Sequence, residues 1–389
     1  MTRKKHILKH ILSVPTAATS VALGMSPTRA RSIVQVVSIL ALMFAIPAFA
    51  GSGILPPSST PTVVSTVPAN GDLNPYGVAF VPKHFPSDGA LQPGDILVSN
   101  FNASTNLQGT GTTIVKVRGT KVTTFFQGVP TLGLTTALAV LKSGFVIVGS
   151  FPSPTGNCSD PTTGSGSLMI LDRNGNLVET FANAPIIAGP WDMTVWDNVN
   201  TPVAFVSNAL TGEVYRLNLT VGGPFGIKVQ QATKIARGYG HQCDPVTFID
   251  GPTGLAYDGD TDALYVASTL DNAIYRVDGA TERTSPEHQG DLIYNDPNHL
   301  NGPLALALAP NGDLITSNND NIVTNSPVPP SEYVEFTKSG TFVGAFQIDS
   351  SAGGAFGLAI QKTGPDTAIF AAVDDNGVPP NLQIFTVNF

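Results

Sequence analysis

The residues of this chain that could do chemistry do not form one compact motif. They recur at matching places along it. Asp192, Asp250 and Asp374 each stand at the opening or the end of a short apolar run. Carboxylates converging from such places would suit a hard divalent cation, calcium above all, which takes several oxygen ligands and can polarise a carbonyl or activate water. Tyr76, Asn100, Trp191, Asn208, Asn301 and Asn318 occupy equivalent places and offer a polar and aromatic lining for a ligand. The plainer reading of the same Asp and Asn residues is that they cap turns and satisfy backbone N–H groups. Aromatic residues at such openings equally serve as wedges between packed sheets.

Other catalytic patterns are missing. His84, His241, His288 and His299 fall in loops without the fixed geometry that makes a general base, and read as solvated. No Gly-x-Ser-x-Gly elbow sits at a strand-to-helix turn, and Gly164-Ser165-Gly166 lies in an insertion. The glycine clusters are β-turns rather than phosphate loops. Cys158 and Cys243 are the only cysteines. An even number in an exported chain permits one disulfide. Nothing around either cysteine marks a metal knuckle or an activated thiolate.

The elements that must position these residues are short strands. In Gly251 to Gly279 a Pro-Thr-Gly opening runs into Leu255-Ala256-Tyr257, then a Gly/Asp turn, the strand Ala263 to Ala267, a second polar turn and the strand Ala273 to Val277. Such a meander cannot bury both its faces alone and has to recur. Six segments align with it, opening at Asn74, Leu134, Gly189, Gly251, Gly302 and Gly354. Each has a second and a third strand, and five have a fourth. The sixth runs out of chain at Phe389, and the isolated strand Thr62 to Val67 is left to complete it. The fold expected is all-β: a six-bladed β-propeller over 62–389 whose N-terminal strand closes the last blade. Five insertions, at Phe101 to Gly111, Phe151 to Gly166, Arg237 to Ile249, Glu282 to Gln289 and Asn318 to Ser331, are expected to gather on one face. Loops gathered on a rigid scaffold are where function usually sits. The disulfide between Cys158 and Cys243 would bridge two of them over the channel mouth.

Composition agrees. Only 12% of residues are charged, and Gly (39) and Pro (31) are plentiful, as many tight turns require. Residues 1–50 hold six basic residues and no acidic ones, then an apolar run ending Ala48-Phe49-Ala50. That is the pattern of a signal peptide cleaved after Ala50, with 51–61 a flexible Pro/Ser-rich lead-in. The remaining chain, with 14 basic and 28 acidic residues, carries a net charge of −14. An acidic surface argues against nucleic acid and against a membrane once the leader is gone, and fits a monomer that is secreted or periplasmic.

The openings Pro-x-Gly-Leu-Ala, the run Leu264-Tyr265-Val266-Ala267 and the closing Asn272-Ala273-Ile274-Tyr275-Arg276-Val277 resemble NHL repeats and the related SMP-30 (gluconolactonase-like) propellers. The resemblance implies a six-bladed propeller and, in the lactonase-like branch, a channel-mouth cation held by a Glu, an Asn and an Asp. Here Thr253 and Leu304 stand where that branch has the Asn of Pro-Asn-Gly, and no Glu stands at a blade opening. The first reading is therefore an exported binding or scaffold module that takes a small-molecule or protein ligand on its loop-rich channel face. The alternative is a metal-assisted hydrolase or lyase with calcium or another divalent cation on Asp192, Asp250 and Asp374.

Overall fold

Runs of four to eight Val, Ile, Leu, Ala, Phe and Tyr residues, cut by Gly, Asn and Asp turns, are too short for helices of useful length and well suited to antiparallel meanders. The computed structural model describes residues 53–222, 226–318 and 330–389, and among them there is no α-helix. The signal-peptide stretch, 1–50, lies outside the described residues, as does 319–329 of the fifth insertion.

The first strand is β1 (Thr62–Ser65). Blade one follows with β2 (Leu73–Phe80), β3 (Ile96–Asn102), β4 (Thr113–Arg118) and β5 (Lys121–Gln127). Blade two has β6 (Leu134–Val140), β7 (Val146–Ser150), β8 (Ser167–Leu171) and β9 (Leu177–Phe181). Blade three has β10 (Pro190–Trp196), β11 (Val203–Asn208), β12 (Glu213–Val221) and β13 (Ile227–Arg237). A small hairpin, β14 (Gln242–Asp244) and β15 (Phe248–Asp250), comes next. Blade four has β16 (Pro252–Asp258), β17 (Ala263–Ser268), β18 (Ala273–Asp278) and β19 (Asp291–Tyr294). Blade five has β20 (Leu306–Leu308), β21 (Leu314–Asn318), β22 (Ser331–Phe336) and β23 (Phe342–Asp349). Blade six has β24 (Ala355–Lys362), β25 (Thr367–Asp374) and β26 (Asn381–Asn388), and its outer strand is β1. Thr62 pairs with Ile384 and Ser65 with Asn381. The ring thus closes as the orphan strand requires, and no blade is left with three strands.

Neighbouring blades bury their apolar faces against each other. Leu97 and Ile114 of blade one pack with Leu138 and Val148 of blade two, and the same pattern repeats around the ring. The inner strands β2, β6, β10, β16 and β24 each carry a bulge near their start. A bulge bends the strand and re-aims its side chains. It also brings adjacent inner strands close: a Cβ on Gly254 would run into the backbone of Leu304 to Leu306, and one on Gly357 into Tyr76. That close approach is the physical reason for the Pro-x-Gly opening.

The structure departs from two expectations and refines a third. The lead-in is docked where it is described: Ile54 and Leu55 are buried with blades five and six, and the Leu55 N–H donates to the fully buried Glu335 at 2.7 Å. The stretch Arg237 to Ile249 contains a hairpin; strands of three residues carry too little periodicity to be read from sequence. The insertion Glu282 to Gln289 belongs to the connection from β18 to β19. It packs against blade three, where Glu287 exchanges backbone bonds with Ile235 and Arg237, and its end reaches the β17–β18 turn, where Gln289 donates from Nε2 to Asp271.

Candidate functional site

The two ends of the central channel differ. At the starts of the inner strands nearly every residue is buried, and toward their ends exposure grows, as in β10, whose burial falls from Pro190 to the exposed Trp196. The channel is therefore sealed beside the long second-to-third strand loops and open beside the first-to-second strand turns.

The seal is aromatic. Tyr76 stacks on Phe356 with ring centroids 4.5 Å apart. It meets Phe101 at 5.0 Å and the edge of Trp191 at 5.6 Å. Phe248, from the β14–β15 hairpin, lies 5.3 Å from both Phe101 and Phe151 and 6.2 Å from Trp191. Offset and edge-on pairs of this kind add attraction beyond their buried area. The Cys158–Cys243 disulfide lies over this cluster and joins the long loop of blade two to the hairpin before blade four. It encloses a sequence separation of 85 residues. Replacing both cysteines with serine is expected to cost about 2–4 kcal/mol in denaturant unfolding, the usual worth of a bridge closing a long loop. An unchanged urea midpoint for the double variant would show that the bridge adds nothing to the seal.

The polar residues expected at this mouth are turned inward. Asn208 donates from Nδ2 to the carbonyl of Ile186 and accepts the Ala188 N–H. Asn318 donates to the carbonyl of His299 and to Glu332, and accepts the Asn301 N–H at 2.6 Å. Asn100 donates to the Thr66 carbonyl and to Thr113. These three repeat-equivalent carboxamides latch the end of a second strand to the chain entering the same blade. Tyr76 and Trp191 are part of the aromatic seal, and Asn301 is buried beside Asn318.

The three carboxylates do not share a centre. Asp250 accepts from Thr247 and Gln242. Asp374 accepts from Gly377, Asn381 and Gln383. Burial raises the pKa of both. Asp375, beside Asp374, is pushed up to about 7 by burial and by its neighbour's charge. Among the described residues no three His, Cys, Asp or Glu side chains gather as an ion would need. Asp192, Asp250 and Asp374 therefore do not fit one divalent cation. The histidines are separate as well: His299 pairs with Asp296 and stacks on Phe342, while His241 bonds the carbonyl of Tyr239.

Asp192 stands apart from the other two. It lies in the bulge of β10, at the place filled by Gly77, Ala137, Gly254, Ala305 and Gly357 in the other blades. Five blades keep a residue with little or no side chain where inner strands converge, and one spends a carboxyl group. Its Oδ1 accepts the Met193 N–H at 2.8 Å and its Oδ2 accepts the Leu255 N–H of the next blade at 2.9 Å. Burial pushes it up to about 8, against the pull of those two backbone bonds. At neutral pH it is an uncharged acid. It lines a cavity of about 340 Å³ that fills the open part of the channel. Val78, Leu138, Thr194, Tyr257, Leu308 and Ile360 form much of the remaining wall. Among the described residues no other carboxyl, imidazole or cationic side chain lines it. The signal that marks Asp192 is present in the sequence: it is the odd residue in a column of Gly and Ala.

No family model matches the chain, and no curated protein matches it. Among solved structures, a gluconolactonase from Xanthomonas campestris aligns with a TM-score of 0.52 at 13% identity, covering 84% of this chain and 89% of its own. A calcium-binding regucalcin from Agrobacterium tumefaciens aligns with a TM-score of 0.50 at 11% identity, covering 85% of this chain and 97% of its own. At such identities the likeness is one of fold, and the fold these neighbours share with this chain is the six-bladed β-propeller.

Proposed function

We propose that this protein is an exported, small-molecule-binding propeller of NHL-like type that takes its ligand into the central channel from the face of the first-to-second strand turns. The observation that carries this reading is Asp192: a buried carboxyl group set in a bulge, at a place where the other blades have Gly or Ala, and facing a channel cavity that the inner strands line. A volume of about 340 Å³ falls at the small end of the ligand-pocket range. The leader pattern and the disulfide support an oxidising compartment. A fragment screen followed by methyl NMR is expected to place shifts on Leu138, Met193 and Leu308. Shifts confined to the loop face, or none, would end this reading.

The lactonase-like alternative has one observation in its favour. The chain shares its fold with a gluconolactonase and with a calcium-binding regucalcin. It needs oxygen ligands that converge, and the separate partners of Asp192, Asp250 and Asp374 speak against that. Metal analysis of purified protein separates the two readings. A stoichiometric divalent ion, with a calcium-dependent rise in Tm of several degrees, would favour the hydrolase.

A further inference from the structure

Asp192, as an uncharged acid lining the cavity, can donate one hydrogen bond into it. Both carboxyl oxygens already accept backbone N–H groups, and an uncharged acid still has one O–H to give. Both hydrogen bonds that this carboxyl group makes to described residues are ones it accepts. The elements packed around it bring no charge: β2 presents Tyr76 and Val78, β6 presents Thr136 and Leu138, β11 presents Ser207, and β16 presents Leu255 and Tyr257. The only titratable groups among these are the two phenols. Tyr257 is raised to about 12 and is spent on Asp262. Ser207 donates to the Thr253 carbonyl, and Thr136 donates to the carbonyl of Trp191. The cavity that Asp192 lines is open to that donor. A buried donor left without an acceptor is costly, so a guest that supplies one gains more here than it would in water.

Building on the channel-binding reading, we propose that the channel selects a compact, uncharged molecule carrying a carbonyl-type acceptor, bound by a hydrogen bond from the Asp192 carboxyl within a wall whose other described side chains carry no charge. A carboxylate guest would bring an unpaired charge into a site with no cation. An ammonium guest would have to ionise Asp192 and hold a buried ion pair that is not supported by further hydrogen bonds. Carboxylate and ammonium are therefore both rejected in favour of the neutral molecule.

Cyclohexanone, cyclohexanecarboxylate and cyclohexylammonium share one apolar body and differ in charge, which makes them suitable probes in NMR titrations of the full chain. The ketone is expected to bind at least tenfold more tightly than either ion at pH 6.5. Its affinity should be constant below pH 7 and fall as Asp192 ionises, to about one-thirtieth by pH 9.5, since only the protonated fraction is competent. Asp192→Ala copies the residue that two other blades carry at this place, Ala137 and Ala305, and should weaken ketone binding at least tenfold and remove the pH dependence. Should that variant fail to fold, the pH profile of the native protein still decides. Ketone binding in the channel that is matched by the carboxylate, is flat in pH or survives Asp192→Ala would overturn this inference and leave the channel-binding reading standing. Tighter binding of the ammonium, growing as pH rises, would do the same. If no probe of any kind shifts channel resonances, the channel-binding reading fails and takes this inference with it.

Discussion

A chain shortened to begin at Pro68 is expected to lose its cooperative unfolding transition, or to melt at least roughly 15 °C below the full-length protein. The shortened chain lacks β1, and blade six would be left with three strands and a raw edge on β26. Val64 leaves the core together with Ile54 and Leu55, each worth about 1.5–3 kcal/mol when fully buried. The buried Glu335 loses the Leu55 N–H that it accepts, and Asn100 of blade one loses the Thr66 carbonyl. Thr66 also bonds Pro380 through its backbone N–H at 3.0 Å. These losses approach the whole net stability of an ordinary domain, about 5–15 kcal/mol. Placing residues 53–67 after Phe389 through a short turn should restore the transition, because β1 runs antiparallel to β26 and a hairpin leads into it naturally. Differential scanning calorimetry of the shortened and rearranged chains tests both statements. A shortened chain as heat-resistant as the parent would mean that β1 does not seal the ring.

Trp191→Ala should cost about 3–5 kcal/mol, the range for removing a large side chain from a packed core. Trp191 is fully buried and touches Tyr76, Phe101, Phe151 and Phe248, so its loss opens the centre of the aromatic seal. Trp191→Phe is expected to stay within about 1.5 kcal/mol of the parent, since it keeps a ring in place. It also discards an indole N–H that has no acceptor among the described residues. Urea unfolding followed by circular dichroism measures both. The comparison discriminates because a seal made of ring packing tolerates Phe and not Ala, whereas a ligand-gripping indole would make both variants stable and both defective in binding. An Ala variant within 1 kcal/mol of the parent would show that the loop-face end of the channel is loosely filled.

The seal and Asp192 together bear on how the fold is used. Among the described residues the loop-face mouth is filled by rings, and the cavity beside Asp192 lies toward the turn side. The carboxylates expected to serve as metal ligands at the mouth are spent on turns and connectors in two cases, Asp250 and Asp374. In the third case, Asp192, the side chain faces the channel as a neutral acid.

By itself, the amino-acid sequence determined the blades. Strands such as β17 and β18 are legible because apolar alternation and Asp/Asn/Gly turns act over a few residues, and such local preferences survive in any context. The closing strand was legible by arithmetic: five complete meanders, one that stops short at Phe389, and one strand left over at Thr62. The tertiary structure alone decided what the side chains at the strand ends do. Asn208 and Asn318 look alike as ligands and as latches until the connector backbone arrives beside them. Which end of the channel is open depended on Phe248, carried in by a hairpin too short to announce itself. The role of Asp192 depended on two strands meeting at a bulge and on the absence, among the described residues lining its cavity, of any cationic side chain. Those are facts of distance between residues far apart in the chain, and local patterns contain no distances of that kind.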